Sequence, residues 1–330
     1  MWQKLAIALG GGIAAALLFA VTATGTVEGI FLAYLAPLPL MIVAIGWGLS
    51  YGAAGGAIAI AAVAMFAGPL SAAIYAATLP LPAWLLACAA IRQPGAALRR
   101  LVPATGPGQT PAGALLIVAA AISVVSGLVL LCGILIYYRG FQPGLDALSA
   151  VFSANLKEAL DQGLALPDGL TEPALAKSVA YYMPAALSAG TTLMLCLNLY
   201  AAGRLVQLSQ LRPVAWRSLP NSLLLPKWLA IALAASVVLA FTLPEPLAIG
   251  ALIVAAPLAI AFVLQGLAVI HALTRGFAMR GPMLAGVYMT LFVITRSALA
   301  TLAGVGLLES FLLFRARAAT PPQINPSVKS

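Results

Sequence analysis

Two charged residues, Arg296 and Glu309, interrupt an otherwise apolar run from 283 to 314. About 20 apolar residues cross a hydrocarbon core, so this run is long enough to span. An arginine inside a span costs roughly 3 kcal/mol, and its charge then faces protein, water or a bound partner. Arg296 is therefore the first candidate for recognising an anionic solute. No acid is found in the other apolar segments to pair with it. Its candidate partners are Asn198, Gln265, threonine hydroxyls, carbonyls freed at proline breaks, or a bound anion. Arg296, Asn198 and Gln265 together make the candidate polar site.

Other reactive groups are scarce. The sole histidine, His271, has no acid beside it in sequence and reads as a hydrogen-bonded interfacial residue. Cys88, Cys132 and Cys196 sit inside apolar segments, without metal spacing or a disulfide framework, and read as small buried hydrophobes. The sequence has no His-Glu metalloprotease pair, no paired intramembrane aspartates, no nucleophile elbow and no Walker-type loop. The expectation is a protein that is not an enzyme and carries no metal or cofactor. Without intramembrane carboxylates to relay protons, an autonomous proton-coupled transporter is disfavoured. An ATP-driven system would need a separate ATPase partner.

The elements that must position these residues are membrane helices. The 330 residues are 63% hydrophobic and 8% charged, where a soluble domain carries about 25% charged. The expected fold is all-α, a polytopic helix bundle of eight or nine spans in contact with the lipid bilayer. A net charge of +9 invites a nucleic-acid reading, but the positives stand singly or in pairs beside apolar runs. Positive-inside topology explains them, so no nucleic acid is expected as a partner.

In chain order the spans read 5–24, 29–49, 51–67, 70–91, 112–138, 179–203, 228–243, 247–272 and 283–314. The first resembles a secretory signal ending near Ala23, and the spans that follow at once make it a retained span. Its Ala8, Gly12, Ala16 and Ala20 recur every four positions as a smooth face, for packing within the chain or docking a membrane partner. Pro37-Leu38-Pro39 must kink or break the second span, and Pro80-Leu81-Pro82 sits in the fourth. With Pro244-Glu245-Pro246 these pairs hint weakly at a repeated unit. The chain reads as one membrane domain over 1–330. It comprises a four-span unit (1–91), a proline- and glycine-rich linker (92–111), further spans (112–314) and a polar, disordered tail (315–330).

Residues 140–178 form the one long polar stretch. Leu145, Leu148, Phe152, Leu156 and Leu160 recur at helical spacing, so 145–162 reads as an amphipathic helix outside the bundle, ended by Gly163. Pro167-Asp168-Gly169 reads as a turn, and Thr171 as the cap of the next helix. With the N-terminus in the cytoplasm, the loops 92–100, 204–227 and 275–280 are all cytoplasmic, basic and free of acids. Nine spans would then send Arg315 and Arg317 outside. A single crossing of 283–314 with a short interfacial turn is the favoured reading, and a break near Arg296 into a re-entrant pair is the alternative. Glu309 and Arg315, six positions apart, are too offset to pair along one helix. Glu309 is expected to find another partner, with Lys157 of the outer helix a candidate.

The segment Gly304-Val305-Gly306-Leu307-Leu308-Glu309-Ser310-Phe311-Leu312-Leu313-Phe314-Arg315 resembles the last span of the YybS-like bacterial multi-spanning proteins. That family is catalogued as a domain of unknown function. The pattern is a glycine, then Leu-x-Asp, then an aromatic-rich turn reaching an arginine. Gly306 and Arg315 match it, and Glu309 replaces the aspartate. Pro37-Leu38-Pro39 and the span pattern also look like that family. It is in turn distantly similar to the substrate-binding subunits of energy-coupling-factor transporters. That similarity implies a bacterial inner-membrane protein whose first-span face (Ala8, Gly12, Ala16, Ala20) docks a membrane coupling protein in an ATPase-containing complex. The functional expectation is a transporter-like membrane protein binding a small solute or a coupling partner. The alternative is a scaffold recruiting other proteins through its arginine loops or outer helix.

Overall fold

The computed structural model describes residues 2–92, 112–163, 165–166, 169–211 and 222–319. The expected linker beyond Arg92, the turn residues Pro167 and Asp168, the loop arginines Arg212 and Arg217, and the tail from 320 lie outside them.

The described residues form helices and no strand, in the order α1 (Trp2–Ala20), α2 (Val27–Ala33), α3 (Pro37–Trp47), α4 (Leu49–Thr78), α5 (Pro80–Arg92), α6 (Ala112–Tyr137), α7 (Phe141–Asp161), α8 (Glu172–Leu208), α9 (Lys227–Thr242), α10 (Leu247–Leu273), α11 (Arg280–Val293), α12 (Thr295–Leu312) and α13 (Phe314–Ala319). Six helical runs are long and apolar enough to cross a membrane. The expected all-α membrane class holds.

The breaks fall where backbone chemistry demands them. Thr26 caps α2 by accepting from the Gly29 amide, and α2 ends at Ala33. Pro37 opens α3, so the second span is two helices joined at residues 34–36. The run Leu49–Arg92 is not one rod. Gly68 takes φ +85° and ψ 169°, which favours glycine, and Pro69 follows it. The chain doubles back there: Pro80 returns to lie beside Gly56, and the Trp84 indole donates to the Leu49 carbonyl at 2.9 Å. The expected fourth span, 70–91, is itself divided at Leu79, between α4 and α5.

The amphipathic helix is α7. Leu145 is buried, and Leu148, Phe152, Leu156 and Leu160 are half-buried, while Asp146, Lys157, Glu158 and Asp161 are exposed. It packs along α8, where Ser153 donates to Glu172 and Lys157 lies 3.8 Å from the same carboxylate. Lys157 is thus the partner of Glu172, not of Glu309. Thr171 sits in extended backbone before α8 without a side-chain capping bond, and α8 runs unbroken past the expected limits of the sixth span.

The largest correction concerns 283–314. The stretch is not one continuous helix, because the backbone leaves helical geometry at Ile294 (φ −122°, ψ 54°). Before the break, α11 has no buried residue; after it, α12 packs closely on α10. Leu302 meets Gly266 and Gly306 meets Phe262, so α12 runs antiparallel to α10 and starts beside the end of α10. Tyr288 of α11 contacts His271 near that same end. Tight turns from Thr274 to Arg280 keep the start of α11 there as well. Fourteen residues of helix cover about 21 Å, too little for the core of a bilayer, so α11 lies across the end of the bundle.

Apolar clusters fill the interior. One joins α1, α3 and α4 around Val63 and Tyr75, a second joins α3, α5, α6 and α8 around Met41 and Leu86, and a third joins α6, α9 and α10 around Leu225 and Phe262.

Candidate functional site

The polar residues singled out in the sequence fall into separate places. The densest group lies where α12 crosses α10. At this crossing Gly306 faces the Phe262 carbonyl and Gly266 faces the Leu302 carbonyl so closely that a methyl group on either glycine would overlap backbone. Small residues permit such an approach, which is how membrane helices pack without a hydrophobic drive between them.

Against this crossing runs a buried stretch that is not helical, Leu223 to Pro226. The residue before a proline is pushed out of helical geometry, so Leu225 cannot start α9. Extended backbone away from water leaves amides and carbonyls that must find partners. Gln265, fully buried, supplies the first: its Oε1 accepts from the Leu225 amide at 2.5 Å. Its Nε2 donates to the Gly306 carbonyl at 2.6 Å and to the Ser310 hydroxyl at 2.9 Å. Ser310 in turn donates to the Leu225 carbonyl at 3.1 Å. Arg315 Nη2 donates to the Leu223 carbonyl at 2.7 Å.

Arg315 is held by Glu309. Its Nε donates to Glu309 Oε1 at 2.8 Å, and the glutamate side chain is only 2% exposed. The expectation that these residues cannot pair assumed a continuous helix. Instead α12 stops at Leu312, and Leu313 takes left-handed backbone (φ 51°, ψ 49°). That turn folds Arg315 back along the last turn of α12. An ion pair in a dry site repays its desolvation only with further hydrogen bonds, which the Leu223 carbonyl supplies here. Arg315 is tied into the bundle, so it is no longer a free positive charge weighing on the topology of the tail.

Asn198 sits elsewhere, at the break of the second span. Pro37 has no amide, and the Leu38 amide goes to Leu35, which frees the Tyr34 carbonyl. Asn198 Nδ2 donates to that carbonyl at 2.7 Å and to the Met194 carbonyl at 2.8 Å. Its Oδ1 is buried and has no hydrogen-bond partner among the described residues. The Tyr34 hydroxyl lies against Gly190 on the same helix, so Tyr34 brackets this part of α8.

Arg296 joins neither group. It lies in the first turn of α12, two residues past the break, and is exposed at the arginine-rich end of the bundle with Arg275. The expected mid-span arginine with Asn198 and Gln265 around it is therefore corrected: both amides serve backbone in two different places. His271 Nδ1 donates to the Leu267 carbonyl at 2.9 Å, and its Nε2 lies 3.3 Å from the Tyr288 hydroxyl.

The small-residue face of the first span is also covered. Ala8, Gly12 and Ala16 are buried and Ala20 half-buried, against α4. A methyl on Gly12 would sit 2.5 Å from the Gly55 carbonyl oxygen. Along this face α1 packs inside the chain, the first of the two uses read from the sequence.

Two features escaped the sequence: Ser310, and the buried stretch at 223–226 that lay unnoticed inside a loop read as polar. The apolar Leu223-Leu224-Leu225 followed by Pro226 was the available signal. Compared with family models, curated proteins and solved structures, the chain matches none of them.

Proposed function

We propose that this is a multi-pass bacterial inner-membrane protein of transporter-like architecture, with its N-terminus in the cytoplasm, that binds a small solute at the broken second span. One observation supports the reading: a buried asparagine caps the break and keeps an acceptor, Asn198 Oδ1, without a partner among the described residues. Helices broken at membrane depth are where transporter folds bring backbone and polar side chains to a solute. A solute with an N–H or O–H donor fits a lone acceptor. The reading includes membership of the YybS-like proteins and no enzymatic step. Gly306, Glu309 and Arg315, which carry that resemblance, then serve the bundle rather than the ligand.

The test is a thermal-shift screen of small polar solutes on the purified chain, run on native protein, Asn198→Leu and Arg296→Ala. Solutes that stabilise the native protein should lose their effect in Asn198→Leu and keep it in Arg296→Ala. An unchanged profile in a folded Asn198→Leu variant would remove the site.

The second reading, a non-transport scaffold recruiting other proteins, is favoured by a different observation: the arginine-rich end carries a helix, α11, with no buried residue. Pulldown separates the two. A stable ATPase-containing complex supports transport with a coupling partner, and soluble or envelope proteins support a scaffold.

A further inference from the structure

Helix α11 is apolar on every side, yet the chain covers only one of them. Arg280, Leu284, Val287 and Leu291 recur along the half-buried face. On the other side Met289 is 61%, Phe292 85% and Val293 69% exposed. A helix hydrophobic all round belongs in a core or in a membrane, and this one is too short to cross. Both of its ends are tethered at the C-terminal end of α10, which fixes it at one face of the bundle. Basic residues frame it: Arg275 before it, Arg280 in its first position, and Arg296 two residues past the break at Ile294. No acid occurs from 246 to 308 to neutralise them. Arg275 and Arg296 are exposed, and Arg280 keeps a shielded Nε with no acceptor among the described residues.

We infer that α11 is an interfacial anchor for anionic lipid. Phe292, Val293 and Met289 enter the acyl boundary, and Arg275, Arg280 and Arg296 take the headgroup phosphates of the same leaflet. Charge complementarity selects the occupant. A basic frame around an apolar helix matches an anionic membrane surface, where each arginine adds attraction and the apolar face adds buried area. Arginine suits phosphate because its planar fork donates two parallel hydrogen bonds to one group. This assignment is independent of the solute reading, since Asn198 and α11 lie at different places and share no residue.

The experiment uses the full chain in two arms. In the first, the photo-crosslinking residue benzoylphenylalanine replaces Phe292 and is irradiated in vesicles of mixed phosphatidylglycerol and phosphatidylcholine, and in native membranes. The expected product is a lipid adduct enriched in phosphatidylglycerol. In the second, native mass spectrometry compares retained phosphatidylglycerol in wild type and in Arg275→Gln, Arg280→Gln and Arg296→Gln. Each substitution should weaken retention about fivefold, with phosphatidylcholine unaffected. A polypeptide crosslink at 292 in native membranes, or unchanged phosphatidylglycerol retention in the three variants, overturns the inference. Inorganic phosphate competing as well as the lipid would reduce the site to an anion site and overturn the lipid assignment. Should an arginine variant fail to fold, the first arm decides alone, because it keeps all three arginines.

Discussion

The bundle contains two glycine-mediated crossings that differ in what surrounds them. Where α1 meets α4, Gly12 and Gly55 bring backbones together, and the side chains nearest the two glycines are Ile58 and Leu40. Where α10 meets α12, Gly266 and Gly306 do the same, but Gln265, Ser310, Glu309 and Arg315 flank the crossing. The difference follows from the backbone next to each. The helices at the first crossing bond their own amides, so small size suffices. The second is threaded by the non-helical residues 223–226, whose amides and carbonyls need side chains inside the bundle. Intramembrane polar residues here report irregular backbone before they report a ligand.

One large expected effect comes from closing the second crossing. In Gly306→Ala the new methyl meets only backbone, the Phe262 carbonyl and the Gly266 amide, which cannot rotate away. In Gly12→Ala the obstacles include the Ile58 side chain as well as the Gly55 carbonyl. Overpacking costs about 1–3 kcal/mol and more where nothing yields, so Gly306→Ala should destabilise more than Gly12→Ala. Unfolding in mixed micelles measures both; equal losses would dissolve the distinction between the crossings.

Next is the ion pair. Glu309→Leu leaves Arg315 charged and poorly hydrated, an error worth about 3–5 kcal/mol. Glu309→Leu with Arg315→Met removes both charges and takes the Arg315 donor from the Leu223 carbonyl, a loss of about 1–3 kcal/mol. The double variant should therefore be more stable than the single one. If the single variant is the more stable, the pair is not what holds the turn at Leu313.

The two amides sharpen the comparison at smaller scale. Gln265 serves the Leu225 amide, the Gly306 carbonyl and Ser310, whereas Asn198 serves one freed carbonyl at the break and one within its own helix. Gln265→Leu should cost about 1–3 kcal/mol, by leaving a buried amide unpaired. Asn198→Leu should cost about 0.6 kcal/mol, and at most roughly 1.7, the range of hydrogen bonds between membrane helices. Reversed magnitudes would mean that the break at residues 34–36, and not the stretch at 223–226, is the weak point of the bundle.

Much of this was legible in the sequence because it is periodic or compositional. The apolar runs gave the helices, the face of Leu145 to Leu160 gave α7, and Pro37 gave the break in the second span. The pairing of Glu309 with Arg315 was not legible, because it depends on left-handed backbone at a leucine, Leu313, a residue with no preference for it. The fate of Arg296 was hidden for a related reason. Hydropathy alone joins α11 to α12, and the break at Ile294 has no proline or glycine to mark it. The roles of Asn198 and Gln265 needed tertiary neighbours far along the chain. Sequence could name them as partners for freed backbone, but not choose between that and a charge.

Arg296 supplies the smallest expected effect and the sharpest contrast with Arg315. Both are arginines near an end of α12, but one is enclosed by Glu309 and the Leu223 carbonyl and the other is exposed. An exposed side chain away from caps and buried networks changes stability by within about 0.5 kcal/mol on substitution. Arg296→Gln should therefore unfold like the native protein in uncharged detergent, while Arg315→Gln should lose well over 1 kcal/mol by orphaning Glu309. Adding phosphatidylglycerol tests what remains for Arg296 to do. If lipid phosphate is its partner, native protein gains stability that Arg296→Gln gains less of. A loss for Arg296→Gln in lipid-free detergent as large as that for Arg315→Gln would return it to the interior.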